Sequence, residues 1–377
     1  MRVLHTADWH LGRTFHGASL LDAQSAAAEH ALAVARDEHV DAIVLAGDVY
    51  DRLMPPREAV QLWDESLTQM AEICPVIVIS GNHDSPTRLG YGSGLFDRAG
   101  VHVRTRPDDC GRPIQVADGL VYAIPYLEPD LVRTSLGLDE RSHEAVLNAA
   151  MKQVKADLRR RSAAPSVVTA HAFVAGVQPS ASERDLTVGG TAVVPASTFA
   201  GVDYVALGHI HGSQTAGDNA RYAGSPVAFS FSETGQEKSV AVVDVSAGAQ
   251  PEVALHPVPV HRALARITGT LEELLTEARF TGDEQSWVQA TITDAIRPRD
   301  AMARLQKRFP YAAELSFTPE GAEHSPTSTY AARVTGLSDL DLLERFGKDL
   351  RGVPPTEDEA AVLSDALTAT RARETIA

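Results

Sequence analysis

Five stretches of this chain put ligand-capable side chains where an apolar run stops: Asp8-Trp-His10, Gly47-Asp48, Gly81-Asn-His-Asp84, His171 and Gly208-His209-Ile-His211. Carboxylates, an asparagine amide oxygen and imidazoles, with no thiolate among them, suit borderline-hard divalent ions such as manganese, iron or zinc. Two ions held about 3.5 to 4 Å apart need a bridging carboxylate, and Asp48 is the obvious candidate. Alternation along an extended chain would point Asp8 and His10 the same way, so that both grip one ion; His209 and His211 share that spacing. Taken singly, each piece has a bland explanation. Gly, Asn and Asp are the commonest turn residues, and an isolated histidine is ordinarily a hydrogen-bonded or surface imidazole. That explanation is kept for His5, His16, His30, His39, His102, His143, His256, His261 and His324. It fails for the five stretches together, because each follows an apolar strand and each carries residue types a metal site uses.

Strands must therefore deliver these residues. Val76 to Ile79 is too uniformly apolar for a half-solvated strand and reads as buried. Gly81 is expected to turn the backbone sharply there, presenting Asn82, His83 and Asp84 past the carboxyl end of the strand, where open α/β folds place their chemistry. Arg2–Thr6, Ala42–Leu45, Ser166–Ala170 and Tyr204–Leu207 read as further strands, with a loop over Leu11–Ser19. Helices are expected over Ala23–Glu38, from Pro55-Pro56 through Ile73, and within Asp139–Arg161, whose basic end Arg159-Arg160-Arg161 complements the helix dipole. Gly90-Tyr-Gly-Ser-Gly94 lacks the Rossmann spacing and the P-loop lysine, so it is read as a loop entering a helix at Leu95–Ala99. Ala172–Pro195 is too long and polar for a simple connection and is read as a functional loop.

Strands near Arg221–Ala223 and Ser239–Val245 complete a large first domain, residues 1–258. A compact strand-helix alternation from Ala263 to Phe317 makes a small α/β domain over 259–328. Residues 329–377 form a tail of two amphipathic helices, Leu337–Leu350 and Glu357–Thr368, which suits docking better than a core. The net charge of −16 over 377 residues excludes a basic coat for nucleic acid, although two divalent ions would reverse the local sign where a phosphodiester sits. Two cysteines make no disulfide framework. No apolar run approaches the ~18 residues of a membrane span, and the amino terminus enters a strand directly, so a cytoplasmic location is expected.

The ligand set resembles the calcineurin-like metallophosphoesterases. That resemblance implies a four-layer α/β sandwich, two central mixed sheets flanked by helices, with two metals between the sheets. It implies that Asp8, His10, Asp48 and His211 hold one ion, that Asp48, Asn82, His171 and His209 hold the other, and that His83 is the catalytic histidine, oriented by Asp84. Finer likeness lies in His5-Thr-Ala-Asp-Trp-His-Leu-Gly12, Ala46-Gly-Asp-Val-Tyr-Asp51, Ala206-Leu-Gly-His-Ile-His211, Tyr222-Ala-Gly-Ser-Pro226 and Phe229-Ser-Phe-Ser-Glu233. These segments are similar to the SbcD family of bacterial nuclease subunits, as are Ser182-Glu-Arg-Asp with Gly189-Gly190, the small domain and the tail.

The resemblance implies manganese-supported 3′ to 5′ exonuclease action on DNA duplex ends and endonuclease action on single strands and hairpins. It also implies a homodimer and an SbcC-type coiled-coil ATPase partner; the chain itself has no Walker A motif. Archaeal and eukaryotic relatives place a second histidine where this chain has Asp51, so a two-histidine mechanism is not carried over. The competing expectation is a stand-alone phosphodiesterase or phosphatase for small molecules, which the acidic charge would suit and which the second domain and apolar tail oppose. A subunit that has lost catalysis is opposed by the presence of every ligand and of His83.

Overall fold

Val76–Ile79 lies in the interior of a six-stranded sheet ordered Glu252–Pro257, Ser239–Asp244, Arg2–Thr6, Ala42–Leu45, Val76–Ile79, Val101–Arg104. The pairs from Arg2–Thr6 to Val101–Arg104 are parallel, while the two C-terminal strands are antiparallel. A second six-stranded sheet runs Gln214–Thr215, Ala220–Tyr222, Tyr204–Gly208, Ser166–His171, Gly119–Ile124, Ile114–Val116, with parallel pairing through its centre. This is the computed structural model of the chain; it describes residues 1–183, 193–319, 337–351 and 353–374.

Side-chain alternation explains why these strands are apolar throughout. Val3, Ala42, Val44, Ile77 and Ile79 of the first sheet pack in one cluster with Val121, Ala123, Val167, Tyr204 and Ala206 of the second, so the sheets stack face to face. The intervening residues, such as Leu4, Ile43, Leu45, Val76 and Val78, face outward against helices Leu21–Asp37 and Arg57–Ala71. Tyr122, Val168, Val205 and Leu207 do the same against helix His143–Leu158. Four layers result, and strands covered on both faces have no solvent side to mark with polar residues. His5 sits in the inter-sheet layer, bonded to the Tyr204 hydroxyl at 2.9 Å and the Leu207 carbonyl at 3.1 Å, and burial holds its pKa down to about 3.

Several boundaries differ from those expected. Residues Leu11–Ser19 contain a minimal hairpin, Thr14–Phe15 with Ala18–Ser19. The Gly90–Gly94 region carries two short helices, Pro86–Leu89 and Ser93–Phe96, and a single 3-10 turn at Asp97–Ala99. Val101–Arg104, Ile114–Val116 and Glu252–Pro257 are strands without an expectation; they are edge or near-edge segments, the last almost wholly exposed, so no apolar run announces them. The helix within Asp139–Arg161 starts at a Ser142 cap and stops at Leu158; just beyond it Arg160 and Arg161 pair with Asp157, which also accepts the Tyr122 hydroxyl.

The chain divides into two compact units, Met1–His261 and Arg262–Ala377. The second contains a three-stranded parallel sheet, Leu264–Gly269, Trp287–Ile292 and Ala312–Phe317. Helix Leu271–Thr276, begun by a Thr270/Glu273 capping box, and helix Ala301–Leu305 cover a core of Ile267, Leu274, Val288, Leu305 and Phe309. Tail helices Asp339–Arg351 and Glu357–Glu374 are tied together by Arg351, which donates to Glu359 at 2.6 and 3.0 Å. The first is amphipathic over its whole length, and the second, longer than the expected Glu357–Thr368, keeps Ala360, Val362, Leu363, Ala366 and Leu367 on one side of its axis within that span. Among the described residues no helix is long and apolar enough to cross a membrane.

Candidate metal centre

The loops that follow Arg2–Thr6, Ala42–Leu45, Val76–Ile79 and Tyr204–Gly208 meet at one end of the stacked sheets, together with His171, the last residue of its strand. They do not meet by alternation along extended chain. Asp8 (φ 55°), His10 (φ 44°), Asp48 (φ 50°) and His209 (φ 109°) all have positive φ, so the chain leaves the extended region as soon as each strand ends. Non-glycine residues held so cost of order 1–3 kcal/mol each and persist only where their surroundings hold them. Here backbone bonds do so: Asp8 N–H donates to the Gly47 carbonyl at 3.0 Å and His10 N–H to the Asp48 carbonyl at 3.0 Å. His209 N–H donates to the Asp8 carboxylate at 2.9 Å and His83 N–H to Asp48 Oδ1 at 2.8 Å.

Gly81 also works differently from the expectation. Its φ is not positive; it is needed for closeness, because a Cβ there would lie 2.1 Å from Asp48 Oδ1 and 2.4 Å from Asp48 N. Gly208 has the same function against the Ala46 carbonyl, which a Cβ would approach to 1.9 Å.

All seven residues expected as ligands come together, and all but half-buried Asn82 are fully buried. Asp48 Oδ2 is central, 3.5 Å from His10 Nε2 and 3.5 Å from His171 Nε2. On one side, ligand atoms of Asp8, His10 and His211 lie within 4.8 Å of one another, with the Nε2 atoms of His10 and His211 3.1 Å apart. On the other, Asn82 Oδ1 is 2.9 Å from His171 Nε2 and 3.2 Å from His209 Nδ1.

Electrostatics favours a cation among these groups. Burial, aided by the charge of Asp48, pushes the Asp8 carboxyl well above its ordinary pKa. Burial and neighbouring positive groups hold His10, His209 and His211 well below theirs, and His171 at about 3. The imidazoles are therefore neutral, with lone pairs free to bind a metal, and the carboxylates lack the positive charge a divalent ion brings. The oxygen-and-imidazole donor set fits such ions.

His83 lies beside this cluster, its ring 4.6 Å from that of His10 and its Nδ1 2.7 Å from the Asp51 backbone carbonyl. A carbonyl only accepts, so the proton is on Nδ1. The expectation that Asp84 orients this ring is corrected. The Asp84 carboxylate accepts three backbone N–H groups, from Val49 at 3.1 Å, Tyr50 at 2.9 Å and Gly81 at 2.9 Å, and so clamps the Asp48 loop to the Gly81 loop. The carbonyl that replaces it in orienting His83 belongs to Asp51, a position whose side chain alone is conspicuous in the sequence.

Residue types at strand ends could not reveal the groups around His211: Ser182, Glu183, Glu233 and Lys238. The long polar segment after Ala172 and the family likeness of Ser182-Glu183 and of Phe229 to Glu233 were the available signals, and neither pointed to His211. Arg184, Asp185, Gly189 and Gly190, singled out with them, lie outside the described residues. Arg13 is also unforeseen; its guanidinium lies over the Phe229 ring at 4.6 Å and donates to the Ser182 carbonyl at 3.0 Å.

A family model described as calcineurin-like phosphoesterase matches residues 1–213, and one described as type 5 capsule protein repressor C-terminal domain matches residues 260–349. The chain is 39% identical over 331 residues to the SbcD subunit of nuclease SbcCD from Bacillus subtilis, covering 82% of this chain and 84% of that protein. It is 28% identical over 354 residues to the SbcD subunit of nuclease SbcCD from Staphylococcus epidermidis, covering 93% of each. Among solved structures, TT1561 of Thermus thermophilus aligns over 68% of this chain and 99% of its own, at 14% identity and a TM-score of 0.40.

Proposed function

The chain belongs to the calcineurin-like phosphoesterases and, within them, to the SbcD family of nuclease subunits, and from that premise we propose that its metal centre hydrolyses DNA phosphodiester bonds with two manganese ions. Asp8, His10 and His211 would hold one ion, Asn82, His171 and His209 the other, and Asp48 both. The ions, when bound, supply the positive charge that draws in a phosphodiester and favours attack by water. The convergence of six donors on the two sides of Asp48 Oδ2 carries this reading.

The chain's own residues supply orientation and a proton. With Nδ1–H fixed on the Asp51 carbonyl, protonated His83 has one further N–H, at Nε2, to give to the departing 3′-oxygen, leaving a 5′-phosphate. Purified full chain, with and without its ATPase partner, should degrade linear duplex DNA and nick hairpins with manganese and stop on chelation. Cleavage of a small chromogenic phosphodiester with DNA left intact in every condition would instead establish the small-molecule phosphodiesterase.

The relatives are named as subunits of a nuclease, SbcCD. We place the docking element for an SbcC-type coiled-coil ATPase in the tail. Leu340, Leu343 and Phe346 fall at i, i+3 and i+6 on helix Asp339–Arg351, and Phe346 is 54% exposed. Truncation after Gly336 should yield an active nuclease that neither co-purifies with the ATPase nor responds to ATP; undiminished ATPase binding by the truncated chain would assign the tail to its own fold.

The homodimer is placed at helices near Pro56–Cys74 and Leu95–Ala99. Met54, Tyr91 and Leu95 are 69%, 83% and 69% exposed there, which suits a self-complementary apolar contact. Light scattering at micromolar concentration should read about twice the chain mass, and a strict monomer would count against the pairing. A cytoplasmic location accords with the two free cysteines, Cys74 and Cys110; recovery outside the cytoplasmic fraction would contradict it.

A further inference from the structure

His211 is surrounded by a buried ion pair and two residues of the long polar segment. Glu233 and Lys238 have side chains 0% and 9% exposed and are paired at 2.5 Å. Lys238 Nζ also donates to the His211 carbonyl at 2.9 Å. Glu233 Oε1 accepts the Phe229 N–H at 3.1 Å and lies 2.7 Å from Ser182 Oγ, which is in turn 2.6 Å from His211 Nδ1. Glu183 Oε1 accepts the His211 N–H at 2.8 Å.

Counting donors decides the tautomer: the protons of Ser180, Ser182 and His211 are shared among four close contacts, and three of these can be filled only if His211 carries its proton on Nδ1. The carboxylate paired with Lys238 only accepts, so the Ser182 hydroxyl must spend its single proton on Glu233. Ser180 Oγ, 2.7 Å from Ser182 Oγ, has its own carboxylate to serve, Glu183 Oε2 at 2.7 Å. The Ser182 oxygen can then face His211 Nδ1 only as an acceptor, which places the imidazole proton on Nδ1. Nε2, the atom that faces His10 and the metal centre, is left with its lone pair.

We propose that Glu233, acting through Ser182, sets the tautomer of His211 and so prepares it to bind metal through Nε2. Glu233 and Ser182 are positioning residues in the manner of carboxylate–histidine–metal triads, with a hydroxyl inserted between carboxylate and ring. Ser182 lies in the segment after strand Phe173–Val174, and its carbonyl also takes Arg13, so placement of that segment and metal affinity are linked. The proposal rests on His211 being a ligand.

The test is calorimetric titration of the metal-free full chain with Mn²⁺, alongside nitrogen-15 spectra of its labelled histidines. Wild type should bind two ions and carry the His211 proton on Nδ1. Ser182→Ala should bind one of them about 10–100-fold more weakly and lose the Nδ1 preference, while Ser182→Thr, which keeps the hydroxyl, should restore both. Unchanged affinity and tautomer in Ser182→Ala overturn the relay, and so does an equal loss in Ser182→Thr, which would make the effect one of packing. His211→Ala separates the two levels of the argument. If it keeps both sites, the ligand assignment falls and the relay with it; if it loses one while Ser182→Ala loses none, the relay alone falls.

Discussion

His83→Ala should retain both metal ions and lose about 10²–10⁴-fold of turnover, the range a positioned proton donor contributes. At about 1.4 kcal/mol for each tenfold step, that is roughly 3–5 kcal/mol of barrier. Metal should stay because the histidine's grip on Asp48 is through its backbone N–H, which donates to Oδ1 at 2.8 Å and survives the substitution. What is lost is the ring, aligned by the Asp51 carbonyl. Metal analysis together with single-turnover cleavage of duplex DNA reads both quantities. Ligand atoms of His83, His10 and Asp48 do come within 4.8 Å of one another, so loss of an ion from the variant would make His83 a ligand and remove its assigned role.

Asp48→Ala should have the opposite pattern, losing metal first and activity with it. Its Oδ2 lies 3.5 Å from an imidazole on each side of the centre, so neither ion site stays whole without it. Gly81→Ala should reproduce that loss without touching a ligand. The added methyl would lie 2.1 Å from Asp48 Oδ1 and 2.4 Å from Asp48 N, so the two loops must separate. Overpacking of this kind costs about 1–3 kcal/mol, and a lowered melting temperature should accompany the metal loss. Wild-type metal content in Gly81→Ala would show that the loops can part without moving the carboxylate, and the close-approach account of this glycine would be wrong.

The ends of strands were legible in the sequence because burial on both faces writes an uninterrupted apolar run, and each run stops abruptly at polar residues. Ligand types were legible for the same local reason: a carboxylate, an amide or an imidazole announces its donor atom wherever it lies. Edge strands such as Glu252–Pro257 and the minimal hairpin at Thr14–Ser19 were not, since exposed or two-residue pairings have no apolar pattern.

Other properties depend on how remote loops stack. His10 and His211 lie 201 residues apart in sequence and 3.1 Å apart in space, a closeness set by the register of one sheet on the other. The positive φ values of Asp8, His10, Asp48 and His209 are tolerated only because neighbouring loops hydrogen-bond them in place, so no local propensity could foretell them. Gly81 and Asp84 looked like turn and orienter from their own segment. Tertiary structure made the first a point of contact and the second a clamp, because each meets a loop some thirty residues away, about Asp48. The same reason hid what Ser182 and Glu233 do: a hydroxyl and a carboxylate are common everywhere, and only the fold brings them to His211.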